Sequence, residues 1–187
     1  MVVKETYIEG CFEITPKIIQ DKRGYFFESF NKKKFQNKTG LEIDFVQDNQ
    51  SFSEKGVLRG LHLQKGEDSQ AKLVSVSKGK VLDVVVDVRP NSNTFGAIFS
   101  IVLSEENKKQ LFVPRGCAHG FVVLSETALF YYKCDNFYNK EAETGIIYND
   151  PKLNINWQLE DDELIISEKD KVLPSFTEFM EQQKTTT

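Results

Sequence analysis

Between Val81 and Val88 the chain alternates strictly. Leu82, Val84, Val86 and Val88 fall on one face and Asp83 and Asp87 on the other, the period-two pattern of a β-strand. Residues 25–30, 44–53, 56–64, 73–77, 98–103, 109–113, 120–124 and 128–136 read as further short strands. Turn signals separate them: Ser77-Lys78-Gly79, Arg89-Pro90-Asn91-Ser92-Asn93, Pro114-Arg115-Gly116 and Ser125-Glu126. Helix is scarce. Residues 31–38 form a candidate stopped by Gly40, Ser104-Glu105-Glu106-Asn107 reads as a capped turn, and 175–182 as a short terminal helix. Many short strands at this spacing predict a sandwich or a jelly-roll barrel.

The 187 residues are expected to form one domain over 1–182, with 183–187 a disordered tail. Fifteen Phe and six Tyr against two Met point to an aromatic-rich β core. The net charge of −4 is spread along the chain, which gives no footprint for nucleic acid and no polybasic membrane patch. No apolar run reaches membrane-spanning length, and the N-terminus lacks the apolar stretch of a signal peptide. Cys11, Cys117 and Cys134 lack metal-type spacing and read as free thiols of a reducing compartment. The expectation is a cytoplasmic protein.

Two histidines, His62 and His119, are the only candidates for an imidazole base near neutral pH. Strict alternation over 56–64 puts Leu58, Gly60, His62 and Gln64 on one face and Arg59 on the other. For Arg59 and His62 to share a ligand the strand must bulge, with Gly60 between them as the candidate position; the alternative is that Arg59 is a solvated surface charge. Lys72 is in register with Val74 and Val76. Pointing inward, it would need an anionic partner such as a phosphate or a developing enolate. Tyr131 and Tyr132 face opposite ways, so only one can enter a pocket; the spacing does not say which. No His-x-His, Walker loop, Gly-x-Gly-x-x-Gly or Gly-x-Ser-x-Gly is present. A metal site of His62, His119 and a carboxylate is poorly signalled, and Cys117 reads as a core residue.

Longer strings carry more. They are Asp21-Lys-Arg-Gly-Tyr-Phe-Phe-Glu28, Phe45-Val-Gln-Asp-Asn49, Val57-Leu-Arg-Gly-Leu-His62, Gln70-Ala-Lys-Leu-Val74, Asp83-Val-Val-Val-Asp87 and Ala118-His-Gly-Phe121. Tyr132-Lys133, Asn149-Asp-Pro151 and Ile166-Ser-Glu-Lys-Asp170 follow in order. On these strings, from about Thr6 to Pro174, the chain resembles the dTDP-4-dehydrorhamnose 3,5-epimerase family. The resemblance implies an all-β cupin-type jelly-roll barrel with a few short peripheral helices, and an isomerase acting on dTDP-4-dehydro-6-deoxy-D-glucose. It implies that His62 is the general base oriented by Asp170, that Tyr132 is the general acid, and that Lys72 and His119 hold the 4-keto oxygen. Arg23, Glu28, Gln47, Asn49, Arg59, Glu143 and Lys169 match substrate contacts, and Tyr138 matches an aromatic that stacks on thymine. No cofactor or metal is implied, because the 4-keto group serves as the electron sink. The implied partner is a second copy, in a homodimer that exchanges N-terminal strands.

The chain departs from the family pattern at Leu63, Arg115, Cys117, Tyr148 and Gln158. None is a proposed catalytic group, but Leu63 and Cys117 put substrate identity in play. The competing readings are a single-site epimerase on a related nucleotide 4-ketosugar, a metal-dependent cupin and a non-catalytic sugar-binding module.

Overall fold

The computed structural model describes residues 1–185. The first strands are β1 (Val2–Glu5), β2 (Phe12–Thr15), β3 (Ile19–Asp21) and β4 (Gly24–Phe26). After helix α1 (Lys32–Thr39) come β5 (Gln47–Glu54), β6 (Val57–Gln64), β7 (Lys72–Lys78), β8 (Lys80–Asp87) and β9 (Ile98–Ser104). Next are β10 (Gln110–Val113), β11 (Cys117–Val123), β12 (Thr127–Cys134), β13 (Glu143–Gly145) and β14 (Ile165–Ile166). Helices α2 (Glu168–Lys171) and α3 (Phe176–Thr185) end the described chain. Part of the expected tail is therefore helical, and residues 186 and 187 lie outside the described residues.

The strands form two large sheets. One runs β1-β2-β10-β7-β12-β5; the other runs β13-β6-β11-β8-β9, with β14 added parallel to β6. From β5 to β8 successive strands alternate between the sheets, so chain neighbours face each other across the interior. The separate hairpin of β3 and β4 is exposed along its whole length. The expected jelly-roll barrel is not what forms. The chain is mostly strand with short helices, but among the described residues no strand of one large sheet is hydrogen-bonded to the other. Each sheet keeps open edges. Alternation specifies which side chains point inward, but whether the outermost strands meet is decided by twist and edge pairing, which it does not encode.

Three apolar clusters sit between and outside the sheets. Val74, Val76, Leu111 and Phe130 of the first sheet meet Val81, Val85, Phe121 and Val123 of the second. On the first sheet's outer face, Phe35 of α1 packs on Phe112 with ring centroids 5.2 Å apart. Asn31 starts that helix by accepting the Lys34 N–H, and left-handed Gly40 ends it. On the second sheet's outer face, the chain beyond Asp150 lays Leu153, Trp157 and Phe179 over Leu82, Val84 and Val86. The second sheet is therefore buried on both faces, which is why all seven residues of β11 are buried.

Candidate active site

A cavity of about 530 Å³ opens between the sheets and is lined by His62, Lys72, His119, Tyr132, Asp170 and Arg59 among others. A smaller adjoining space of about 270 Å³ shares His62, Lys72 and Tyr132 and adds Gln47, Asn49, Tyr138 and Glu143. The second sheet supplies His62 and His119, the first supplies Lys72 and Tyr132, and α2 supplies Asp170.

β6 reaches this arrangement through a bulge. Between β6 and β11 the pairing passes from His62↔His119 to Arg59↔Phe121. Three steps on β6 oppose two on β11. The extra residue turns Arg59 to the same side as His62, as the position of Gly60 suggested. Gly60 has φ +134°, and a Cβ there would lie 2.5 Å from the Gly120 Cα and 2.9 Å from the His119 carbonyl oxygen.

His62 Nε2 lies 2.7 Å from Asp170 Oδ1. The other carboxylate oxygen accepts the Gly60 N–H at 3.4 Å, and Ser167 Oγ caps the Asp170 N–H at 3.1 Å. Burial pushes the Asp170 carboxyl up, but the His62, Gly60 and Ser167 contacts outweigh it and hold it below the ordinary carboxylate range. The carboxylate thus engages one ring nitrogen of His62 and leaves Nδ1 for a ligand.

On the facing wall Tyr132 points into the cavity, and burial raises its phenol above the usual value. Tyr131 points away and donates to Asp48 at 2.7 Å, so the choice left open by the spacing falls on Tyr132. Lys72 makes no ion pair within 4 Å among the described residues. Burial lowers its pKa, and the attraction of Cys134, Asp83 and Glu143 only partly offsets this. A bound oxyanion would supply the missing partner.

Two features were not read from the sequence. Asp83 is fully buried and its oxygens lie 2.9 and 3.1 Å from His119 Nε2, so both histidines have a carboxylate partner. Burial raises the Asp83 carboxyl against the pull of His119 and Lys72. Its signal was present: an acid in register with Val81 and Val85, on a strand apolar on both faces. The second is the rest of the inner face of β5, where Ser51 and Ser53 continue the alternation of Gln47 and Asn49 toward the site. The Ser51 hydroxyl oxygen is buried without a partner among the described residues.

The expected ligand contacts divide. Tyr138 donates its hydroxyl to Glu143 at 2.7 Å and its N–H to Gln47 at 3.0 Å. Lys169 pairs with Glu143, and the Arg59 Nε donates to Ser53 Oγ at 3.2 Å. These lie at the site with Asn49. Arg23 and Glu28 do not. Arg23, in the β3–β4 turn, pairs with Asp21 at 2.5 Å with its side chain 89% exposed, and Glu28 pairs with Lys34. Among the described residues no group of three His, Cys, Asp or Glu side chains is placed to hold a metal ion.

The sequence profile of the family described as dTDP-4-dehydrorhamnose 3,5-epimerase matches residues 5–178. The chain belongs to that family. The dTDP-4-dehydrorhamnose 3,5-epimerase of Methanothermobacter thermautotrophicus is 49% identical over 168 residues, 89% of this chain and 90% of its own length. The crystal structure of the epimerase from Elizabethkingia anophelis superposes with a TM-score of 0.92 at 56% identity, covering 95% of this chain and 97% of the other. A dTDP-6-deoxy-D-glucose-3,5-epimerase of Legionella pneumophila, solved with dTDP-4-keto-L-rhamnose, gives a TM-score of 0.90 at 46% identity, covering 94% and 93%. With these 3,5-epimerases the chain shares its two-sheet architecture over nearly its whole length.

Proposed function

We propose that this protein is the isomerase that converts dTDP-4-dehydro-6-deoxy-D-glucose into dTDP-4-dehydro-L-rhamnose by inverting C3 and C5. The observation that carries this reading is the convergence on one cavity of the His62–Asp170 pair from one wall, Tyr132 from the other, and the amine of Lys72, which makes no ion pair among the described residues.

Both carbons flank the 4-keto group, so a carbanion at either delocalises onto the same oxygen. His62 Nδ1 takes the proton, and the C–H pair becomes the enolate. Asp170 stabilises the imidazolium so formed. Lys72 and His119 hold the enolate oxygen. Tyr132 returns a proton to the opposite face of the carbon; it is then reprotonated from solvent, and His62 releases the proton it took to solvent. Repetition at the second carbon inverts both centres, and the substrate's own carbonyl serves as the electron sink.

The test is turnover of that substrate in deuterium oxide. Deuterium is expected at both C3 and C5. Incorporation at one carbon would select a single-site epimerase, and incorporation at neither would remove the reading. Tyr132→Phe should lose inversion by about two to three orders of magnitude while His62 still exchanges the proton on its own face. Mass spectrometry should then show deuterium uptake with retained configuration. Tyr131→Phe should stay within about twofold of the parent.

Arg23 and Glu28 lie outside the cavity of their own protomer, on or beside a hairpin that exposes Ile19, Tyr25 and Phe26. A homodimer in which this hairpin reaches a neighbour's site accounts for both facts. Light scattering after size exclusion should give twice the 21.5 kDa chain mass; a monomer that is fully active would rule this out.

A further inference from the structure

After Cys134 the first sheet releases the chain, and residues 135–138 cross to the site as a strap that ends in the Tyr138 ring. Phe137 is 65% and Tyr138 53% exposed, so packing does not hold the strap. Hydrogen bonds do. The Asp135 N–H donates to the Ala71 carbonyl at 3.1 Å, and Asp135 Oδ1 accepts the Ala71 N–H at 2.6 Å. The carbonyls of Asn136 and Phe137 accept from Gln70 and Gln64 at 2.8 and 3.1 Å. Tyr138 itself hangs on Gln47 and Glu143.

One tie comes from elsewhere. Arg115, in the turn between β10 and β11, donates its Nε to Asp135 Oδ2 at 2.8 Å and its Nη2 to the Asp135 carbonyl at 3.5 Å. The next residue of that turn, Gly116, donates its N–H to Ser69 Oγ at 3.1 Å. The Asp135 carboxylate is nearly closed off, with its side chain 6% exposed, whereas that of Arg115 is 49% exposed. The pair therefore fixes the first residue of the strap from outside the cavity.

We propose that Arg115 is a positioning residue for ligand binding, which sets the place of Tyr138 through Asp135. The effect should reach binding and not the proton transfers. Lys72 is adjacent to Ala71, but it is held in two ladders, opposite Val113 and opposite Cys134. The strap has no ladder. Losing Arg115 leaves a closed-in carboxylate with only the Ala71 N–H, and the strap is the part free to move in response. The hydrogen bonds of the Arg115 side chain go to Asp135 and to none of the five cavity residues named in the chemistry.

This inference rests on the substrate proposed above, so the parent protein must first show turnover. If it shows none, that reading fails, and the Kd for dTDP alone decides this one. With an active parent, Arg115→Gln should raise KM for the dTDP-sugar and the Kd for dTDP alone by about five- to tenfold. Its kcat should remain within about twofold. Arg115→Lys keeps the charge but not the two-pronged contact, and should recover part of the affinity. Unchanged KM and Kd, or a fall in melting temperature with no change in KM, would overturn the proposal. So would a fall in kcat at constant KM. Should Arg115→Gln fail to fold, Arg115→Lys read by the same constants decides between the same outcomes.

Discussion

Asp170→Asn is expected to lower kcat by about three to four orders of magnitude with the fold intact, as when the carboxylate behind a catalytic imidazole is replaced by an amide. Asparagine matches the carboxylate in size, and the Ser167 Oγ contact to the residue 170 N–H remains available. What changes is the message to the ring. A carboxylate can only accept, so it fixes the proton on Nε2 and leaves Nδ1 bare; an amide can donate to Nε2 and hold the wrong tautomer. It also cannot offset the imidazolium charge that forms when the substrate proton arrives. Steady-state kinetics with circular dichroism checks both halves, and a kcat within tenfold of the parent would end the assignment. A pH signature accompanies it. The Asp170 carboxyl is held below its unfolded value. Its contribution to stability is therefore complete above that unfolded value, about 3.9, and is lost as pH falls through the lower, folded value. Melting temperatures of the two proteins should accordingly run parallel above about pH 4, and below it fall less steeply for Asp170→Asn than for the parent.

Gly60→Ala should be strongly damaging at the site itself. With φ at +134° and a Cβ only 2.5 Å from the Gly120 Cα, alanine meets strain and backbone overlap together. The flexible end of a side chain could swing aside, but this neighbour is the backbone of β11. The expected cost is about 3 kcal/mol or more, read as a lowered urea midpoint or as insoluble protein. Any folded fraction should bind poorly, because relief requires removing the extra residue from the ladder. That would turn Arg59 away from His62. Alanine tolerated within about 1 kcal/mol, with normal KM, would show that the bulge does not depend on glycine.

How much of this was legible in the sequence depends on the range of the interaction. The strands of the middle region were readable because alternation is local; the bulge at Gly60 was reachable only as the condition for Arg59 and His62 to share a ligand, with a solvated Arg59 as the alternative. β1, β2, β3, β13 and β14 were not read: they have two to four residues, too few for a period to emerge. Closure into a barrel was expected and does not occur. That property belongs to the edges, which no single strand's pattern describes. Within the site, Asp170 was reachable only through resemblance, being 108 residues from His62. Asp83 was placed on its correct face, opposite Leu82, Val84 and Val86, but what that face meets was not read. It faces the space between the sheets, where an acid must find a partner, and His119 on the neighbouring strand is that partner.

The chain beyond Asp150 both seals the outer face of the second sheet and delivers Asp170 to His62. Covering the core and arming the base are therefore one equilibrium. Local opening of that cap would leave both sheets folded and the cavity in place, with an imidazole no longer held in its working tautomer. Heat or a small packing defect under Phe179, on the far side of the sheet from the chemistry, should silence the enzyme before it melts. Inactivation and unfolding are therefore expected to be separate events in this molecule, with loss of turnover the earlier and more sensitive report of damage.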